Sequence, residues 1–311
     1  MPQASPHRYA YLGPSGTFTE AALLSLPDAG EIEGVPYSSV PAAFDAVRSG
    51  ECDAAVAAME SSVEGAVTAT IDQLASGEPL MIVRELLLPI SFALLVRPGT
   101  DLAGVKTVAS HPVAEPQCRR WLGQSLPDAR WETAASNAEA ARQVHDGVFD
   151  AALAGAFTAA RYGLEVLADG IHDYAGAQTR FVVVTRPGRP TSPTGLDKTS
   201  ITVGLRDNHP GELMEILEEF AGRGVNLCRI ESRPTGQAMG KYYFLIDCEG
   251  HIADERVGEA LLGLRRNSAN LRFLGSYPRA DRQAPTIRPG TTDPEFAAAR
   301  DWLATVRDGN R

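Results

Sequence analysis

Long apolar runs are missing from this chain of 311 residues. No stretch approaches the roughly 18 residues that a bilayer-crossing helix needs, and residues 1–8 lack the basic-then-apolar layout of a secretory leader. Cysteine is scarce too. Cys52, Cys118, Cys228 and Cys248 form no Cys-x-x-Cys pair and have no histidine at ligand spacing beside them. That argues against a metal site or a disulfide framework and predicts reduced, mostly buried thiols in a cytoplasmic protein. Positive charge is short as well: 29 Lys and Arg stand against 39 Asp and Glu, a net charge of −10. Nucleic-acid binding needs the opposite balance, so an anionic ligand would have to be held by a local site. Three signatures are also absent: a Gly-x-Ser-x-Gly nucleophile elbow, a glycine-rich nucleotide fingerprint and a His-Glu-x-x-His metal pattern.

What is present is an ordinary globular composition, 44% hydrophobic and 22% charged, in a chain long enough for about two domains. Residues 9–12 read as a short strand. They run into Gly13-Pro14-Ser15-Gly16-Thr17-Phe18-Thr19 and then into a stretch of helical composition. Strand, glycine loop, helix start is an arrangement that leaves backbone N–H groups free to cradle an anion, or that simply turns the chain under a threonine cap. Downstream, Ser39 predicts a helix cap, Gly50 its end, and residues 54–58 a small-residue strand. Ser39, Val47, Gly50, Asp53, Ala54, Ala55 and Ala57 recur 97 positions later as Ser136, Val144, Gly147, Asp150, Ala151, Ala152 and Ala154.

This weak repeat predicts two related α/β lobes, each with a largely parallel sheet and its ligand-facing loops at the strand ends. Lobe one takes residues 8–88 and 177–187, and lobe two takes residues 89–176. The apolar stretches 81–88 and 90–96 carry the chain from lobe one to lobe two, and the run opened by Thr179-Arg180-Phe181 is the return crossing, which puts Thr179 at the hinge and cleft floor. Residues 188–198 read as a Pro- and Gly-rich linker. Residues 199–279 alternate as βαββαβ, the ferredoxin-like plait, and residues 280–311 form a polar tail in which 294–306 is an amphipathic helix.

The reactive groups gathered in such a cleft are Ser15, Thr17, Thr19, Glu60, Ser61, Ser62, Ser110, His111, Gln117, Asn137, Thr179 and Arg180, with Phe181 on the floor. Hydroxyls, amides, one carboxylate, one imidazole and one guanidinium suit a small polar anion that reacts by positioning and proton transfer without a cofactor. They suit a solute-binding lobe pair equally well.

These residues resemble the prephenate dehydratases of phenylalanine biosynthesis. The likeness rests on the Gly13 to Thr19 motif, residues 60–65, Ser110-His111-Pro112 with Gln117-Cys118, Ser136-Asn137-Ala138-Glu139-Ala140 and Thr179-Arg180-Phe181. The C-terminal module resembles a regulatory ACT domain, through Pro210-Gly211-Glu212-Leu213 and Ile230-Glu231-Ser232-Arg233-Pro234. The resemblance implies two periplasmic-binding-protein-like lobes with the active site between them, no cofactor and no metal. It implies prephenate as substrate, with Thr179 as the essential hydroxyl and Glu60 or His111 as proton source. The amides of residues 15–17 and Arg180 would hold carboxylates. It also implies phenylalanine bound at Gly211, Glu212, Leu213, Glu231, Ser232, Arg233 and Pro234 across a homodimer or homotetramer interface.

One departure stands out. Ala58-Met59-Glu60-Ser61-Ser62 replaces the family's usual Pro-Ile-Glu-Asn-Ser, and the serine offers a single donor in place of an amide's two. Two relatives of the reaction therefore stay open, a non-aromatising prephenate decarboxylase and an arogenate dehydratase. So does a non-catalytic ligand sensor.

Overall fold

The computed structural model describes residues 6–206, 209–236 and 238–309. In chain order the elements are β1 (His7–Leu12), α1 (Phe18–Leu24), β2 (Ile32–Tyr37), α2 (Val40–Ser49), β3 (Ala54–Ser61), β4 (Gly65–Ala66), α3 (Thr68–Ala75) and β5 (Met81–Pro89). They continue through β6 (Ala93–Val96), β7 (Thr107–Ser110), α4 (Glu115–Ser125), β8 (Arg130–Thr133), α5 (Asn137–His145), β9 (Ala151–Ala154), α6 (Phe157–Tyr162), β10 (Glu165–Ala168) and β11 (Gln178–Thr185). The remainder is β12 (Asp197–Gly204), α7 (Glu212–Ala221), β13 (Leu227–Pro234), β14 (Tyr242–Glu249), α8 (Glu255–Asn267), β15 (Asn270–Pro278) and α9 (Asp293–Arg307). No helix among the described residues is long and apolar enough to cross a membrane.

Three sheets organise the fold. Lobe one is built on β2-β1-β3-β11-β5 with β4 beside β3, and lobe two on β10-β6-β9-β7-β8. The parallel expectation needs correcting for lobe two. Its β7 pairs parallel with β8 and β9, but β6 runs antiparallel to β9 and to β10. The chain enters this lobe along β6 against the direction of the later strands, so the sheet is mixed.

The repeat has a physical basis. Ser39 caps α2 by accepting from the Ala42 N–H at 3.3 Å, and Ser136 caps α5 by accepting from the Glu139 N–H at 3.0 Å. Gly50 and Gly147 turn the chain with φ of 82° and 78°, a region where only glycine escapes a steric penalty. Asp53 then accepts from the Arg8 N–H at 2.9 Å, and Asp150 from the Lys106 and Thr107 N–H at 3.0 and 2.9 Å. In both lobes an acid at the end of a helix–turn stitches the next strand to the first one.

By its contacts the chain forms two units: residues up to Thr70 with Leu86–Val183, and Ile71–Glu85 with the residues from Val184 onward. In the second unit the sheet order β13-β14-β12-β15, antiparallel throughout, is the ferredoxin-like plait. Ile201, Val203, Phe244 and Ile246 pack beneath Ile216, Phe220, Val257 and Leu264 of the two helices. The end of α3 is gripped on the same sheet: Arg233 binds Asp72 through Nε and Nη2 at 3.0 and 2.7 Å, and the Tyr243 hydroxyl donates to Asp72 at 2.8 Å.

One expectation shifts at the start of the second unit. β12 begins at Asp197, inside the expected linker, because the Asp197 carboxylate accepts from the Thr194 and Gly195 N–H groups and fixes the turn that feeds the strand. The helix expected within the tail is present as α9. Thr292 and Glu295 form a capping box for α9, and Arg300 ties that helix to Glu255 of α8 at 2.5 and 2.6 Å. Residues 310 and 311 of the expected tail lie outside the described residues. Of the four thiols, Cys228 on β13 is exposed and the other three are buried.

Candidate active site

β11 lies between β3 and β5, which sets Thr179 beside the strand that carries Glu60. The join is made by Ser62: its N–H donates to the Gln178 carbonyl at 2.9 Å, and its hydroxyl accepts from the Gln178 N–H at 3.0 Å. Thr179, one residue on, is partly exposed. Arg180 is 5% exposed and its guanidinium stands 3.6 Å from the Glu60 carboxylate. The arginine's charge thus meets a carboxylate of its own lobe. Phe181, 2% exposed, is packed in the interior. It supports the floor and offers no ring to a ligand, because alternation along β11 with both faces covered leaves no open side.

Ser61 is engaged within its own loop. Its hydroxyl accepts from the Val63 and Glu64 N–H groups at 3.2 Å each, a local serine turn that holds the β3–β4 connection. The serine that replaces the family's asparagine is therefore occupied in its own loop.

The glycine loop also differs from the expected cradle. Thr17 caps α1, accepting from the Glu20 N–H at 3.3 Å and donating to the Leu12 carbonyl at 3.1 Å. The Gly16 N–H donates to the Glu20 carboxylate at 2.5 Å, and the Tyr11 hydroxyl donates to the same group at 3.0 Å while standing 3.0 Å from the Ser15 hydroxyl. Burial pushes the Tyr11 phenol up to about 12, so it stays a donor. Glu20 thus takes the Gly16 amide, one of those expected to meet a substrate carboxylate, and Thr19 is buried. Glu20 was legible in principle, since Thr17-x-x-Glu20 has capping-box spacing.

In lobe two, Ser110 is fully buried and its hydroxyl lies 2.6 Å from the Leu153 carbonyl and 3.0 Å from Asn137 Oδ1, a structural tie between β7, β9 and α5. The His111 N–H donates to the same Asn137 oxygen at 3.3 Å. The Asn137 side-chain oxygen is thus engaged twice at the start of α5. His111 Nδ1 accepts from the Val113 N–H at 3.4 Å, which places the ring proton on Nε2 and makes that nitrogen a donor. Gln117, 5% exposed, donates to the Val113 carbonyl at 3.0 Å and to Glu64 of lobe one at 3.3 Å. Glu64 was not anticipated, because nothing in its spacing marks a partner 53 positions away.

Burial alone holds the His111 pKa below the usual 6.5, so the neutral imidazole is the working form at neutral pH. A folded-state value below the unfolded one gives stability that is complete above pH 6.5 and is lost as pH falls through the folded value. Activity is expected to fall over the same acid window as Nδ1 gains a proton and its bond to Val113 is lost. In His111→Gln both the stability slope and the acid limb of kcat/KM should flatten, and an unchanged acid limb would remove His111 from the site.

The arrangement thus offers a hydroxyl on β11, a carboxylate–guanidinium pair and a neutral imidazole donor. The sequence model of the prephenate dehydratase family matches residues 9–189. A prephenate dehydratase of Amycolatopsis methanolica is 48% identical over 305 residues, covering 98% of this chain and 99% of that one. That of Mycobacterium tuberculosis is 46% identical over 310 residues, with 97% and 94% covered. The crystal structure of the Arthrobacter aurescens prephenate dehydratase in complex with L-Phe superposes with a TM-score of 0.93 at 48% identity, over 97% of this chain and 99% of that one. Matched along almost its whole length, from the glycine loop through the C-terminal module, the chain belongs to the prephenate dehydratase family.

Proposed function

We propose that the two-lobed unit converts prephenate into phenylpyruvate, carbon dioxide and water, with Thr179 as the hydroxyl that assists departure of the ring hydroxyl. The observation that carries the role is the place of Thr179: it stands partly exposed on β11, next to Gln178 and Arg180, whose contacts are made to Ser62 and Glu60 of lobe one. Aromatisation supplies the driving force, so what the protein must add is orientation and a hydrogen bond at the leaving oxygen. A threonine hydroxyl is too weak an acid to give up its proton unaided, so it acts by a positioned hydrogen bond, with His111 Nε2–H and the Asn137 amide of lobe two proposed as further donors. Glu60, held by Arg180, orients the hinge. An assay offering prephenate and arogenate separately tests the reading: phenylpyruvate from prephenate is the expected product. A non-aromatic keto acid would point to the decarboxylase, turnover of arogenate alone to the amino-acid substrate, and binding without turnover to a sensor.

The ferredoxin-like unit is proposed to bind phenylalanine as an effector, as the Arthrobacter relative binds it. Its support is a cavity of about 760 Å³ at the ends of β12, β13 and β14, lined by Arg206, Pro234, Tyr242 and Asn270, with Arg233 and its partner Asp72 at the margin. The expected Gly211, Glu212 and Leu213 do not line this cavity: Gly211 has φ 97°, the buried Glu212 accepts from the Arg206 N–H and fixes the loop before α7, and Leu213 is exposed. Phenylalanine at a hundredfold its Kd is expected to add about 2.7 kcal/mol of stability, read as a raised Tm. Glu231→Ala, which removes the carboxylate 3.9 Å from Arg229, should abolish the shift; a shift that survives would move the site elsewhere.

β13 is an edge strand with Cys228, Ile230, Ser232 and Pro234 exposed along one side. Such an edge invites pairing, and a homodimer or homotetramer through it is proposed, to be read from the mass in solution.

A further inference from the structure

Lobe two reaches back to the glycine loop through α6. The Tyr162 hydroxyl donates to the Ser15 carbonyl at 2.6 Å and the Thr158 hydroxyl to the Gly16 carbonyl at 2.8 Å, across 147 and 142 residues of sequence. Thr158 is fully buried, so its bond to Gly16 is made out of reach of competing water. Burial also raises the Tyr162 phenol above its ordinary value, keeping it a donor. Gly16 has φ +91°, and a Cβ there would stand 3.1 Å from the Tyr162 ring and 3.2 Å from the Thr158 methyl, so α6 is seated directly against it. From the other side Glu20 holds the Gly16 N–H.

The same helix adds an apolar hold. Phe18, in the loop's own motif, makes edge contacts with Phe157 at 5.4 Å and with Phe92 at 5.6 Å between ring centroids. Gly155 makes room for this, since a Cβ at that position would fall 2.2 Å from the Phe157 ring.

We infer that Thr158 and Tyr162 are positioning residues for the dehydration: their two hydroxyls clasp lobe two onto the Ser15–Gly16 backbone and so fix the closed cleft in which substrate is aligned. The inference rests on the reading of this cleft as the prephenate site. In the clasped state both carbonyls and the intervening N–H of the loop are bonded, so the Ser15 hydroxyl and the start of α1 are held in one geometry. Released, the loop keeps only its lobe-one bonds.

The test uses the full chain. Thr158→Val and Tyr162→Phe each remove one hydroxyl at nearly constant shape; together they are expected to lower kcat/KM for prephenate about 10-fold or more, whereas Thr158→Ser, which keeps the donor, retains most of it. Independently of turnover, spin labels at Leu24→Cys and Val148→Cys, both on exposed positions in different lobes, in a Cys228→Ser background, report lobe separation. The double variant should show a longer and broader distance distribution than the parent. An unchanged distribution would overturn the inference, and so would equal losses from Thr158→Val and Thr158→Ser. If the parent fails to turn over prephenate, the proposed reaction falls, while the label distances still decide the clasp.

Discussion

Thr179→Val is expected to lower kcat by about 10²- to 10³-fold, the range seen when one donor to a developing charge is removed, while KM for prephenate changes little. Valine keeps the β-branched shape on a strand whose next residue, Arg180, is buried and paired with Glu60, so the fold and the floor should be undisturbed. The loss should fall on kcat because the hydroxyl's bond strengthens only as the ring oxygen departs with its electrons, and an interaction made chiefly in the transition state leaves ground-state binding alone. Thr179→Ser should restore a large part of the rate. A Thr179→Val enzyme with near-normal kcat would mean that His111 or Asn137 donates to the leaving oxygen instead.

The largest effect on stability is expected from Lys198→Met. Lys198 Nζ lies 3.1 and 2.9 Å from the two oxygens of Glu85, whose side chain is 2% exposed. The Ala280 N–H adds one more bond to that carboxylate at 3.0 Å. Removing the cation withdraws the Lys198 charge from a buried carboxylate, a change that costs about 3–5 kcal/mol, whereas replacing both partners by apolar groups is often neutral. Urea unfolding should therefore show Lys198→Met strongly destabilised and the pair Lys198→Met with Glu85→Leu recovering most of the loss. A single variant within about 1 kcal/mol of the parent would show that water reaches the pair.

The architecture was legible because it rests on local chemistry. Serine caps, glycine turns and an aspartate closing each helix–turn recur at the 97-residue offset, and each leaves a residue type in the sequence. The plait was readable from strand alternation and helix faces, although within α7 Leu213 is exposed while Glu212 is buried. The site was legible at the level of motif and not of bonding. Arg180 reads the same in sequence whether it meets a substrate or Glu60, Ser61 whether it faces a cleft or caps its own turn, and Ser110 whether it binds a ligand or the Leu153 carbonyl. Glu64, Thr158 and Tyr162 left no signal at all. Their partners are far away in the chain, and a hydroxyl donating to a carbonyl depends on no particular residue at the receiving end.

Product analysis by NMR on prephenate carrying carbon label in its ring carboxylate tests the central claim most directly. The expected result is phenylpyruvate, with one labelled carbon dioxide per aromatic ring, formed at a rate that collapses in Thr179→Val. Recovery of labelled prephenate unchanged, or release of labelled carbon dioxide with a non-aromatic ring that keeps its hydroxyl, would contradict it.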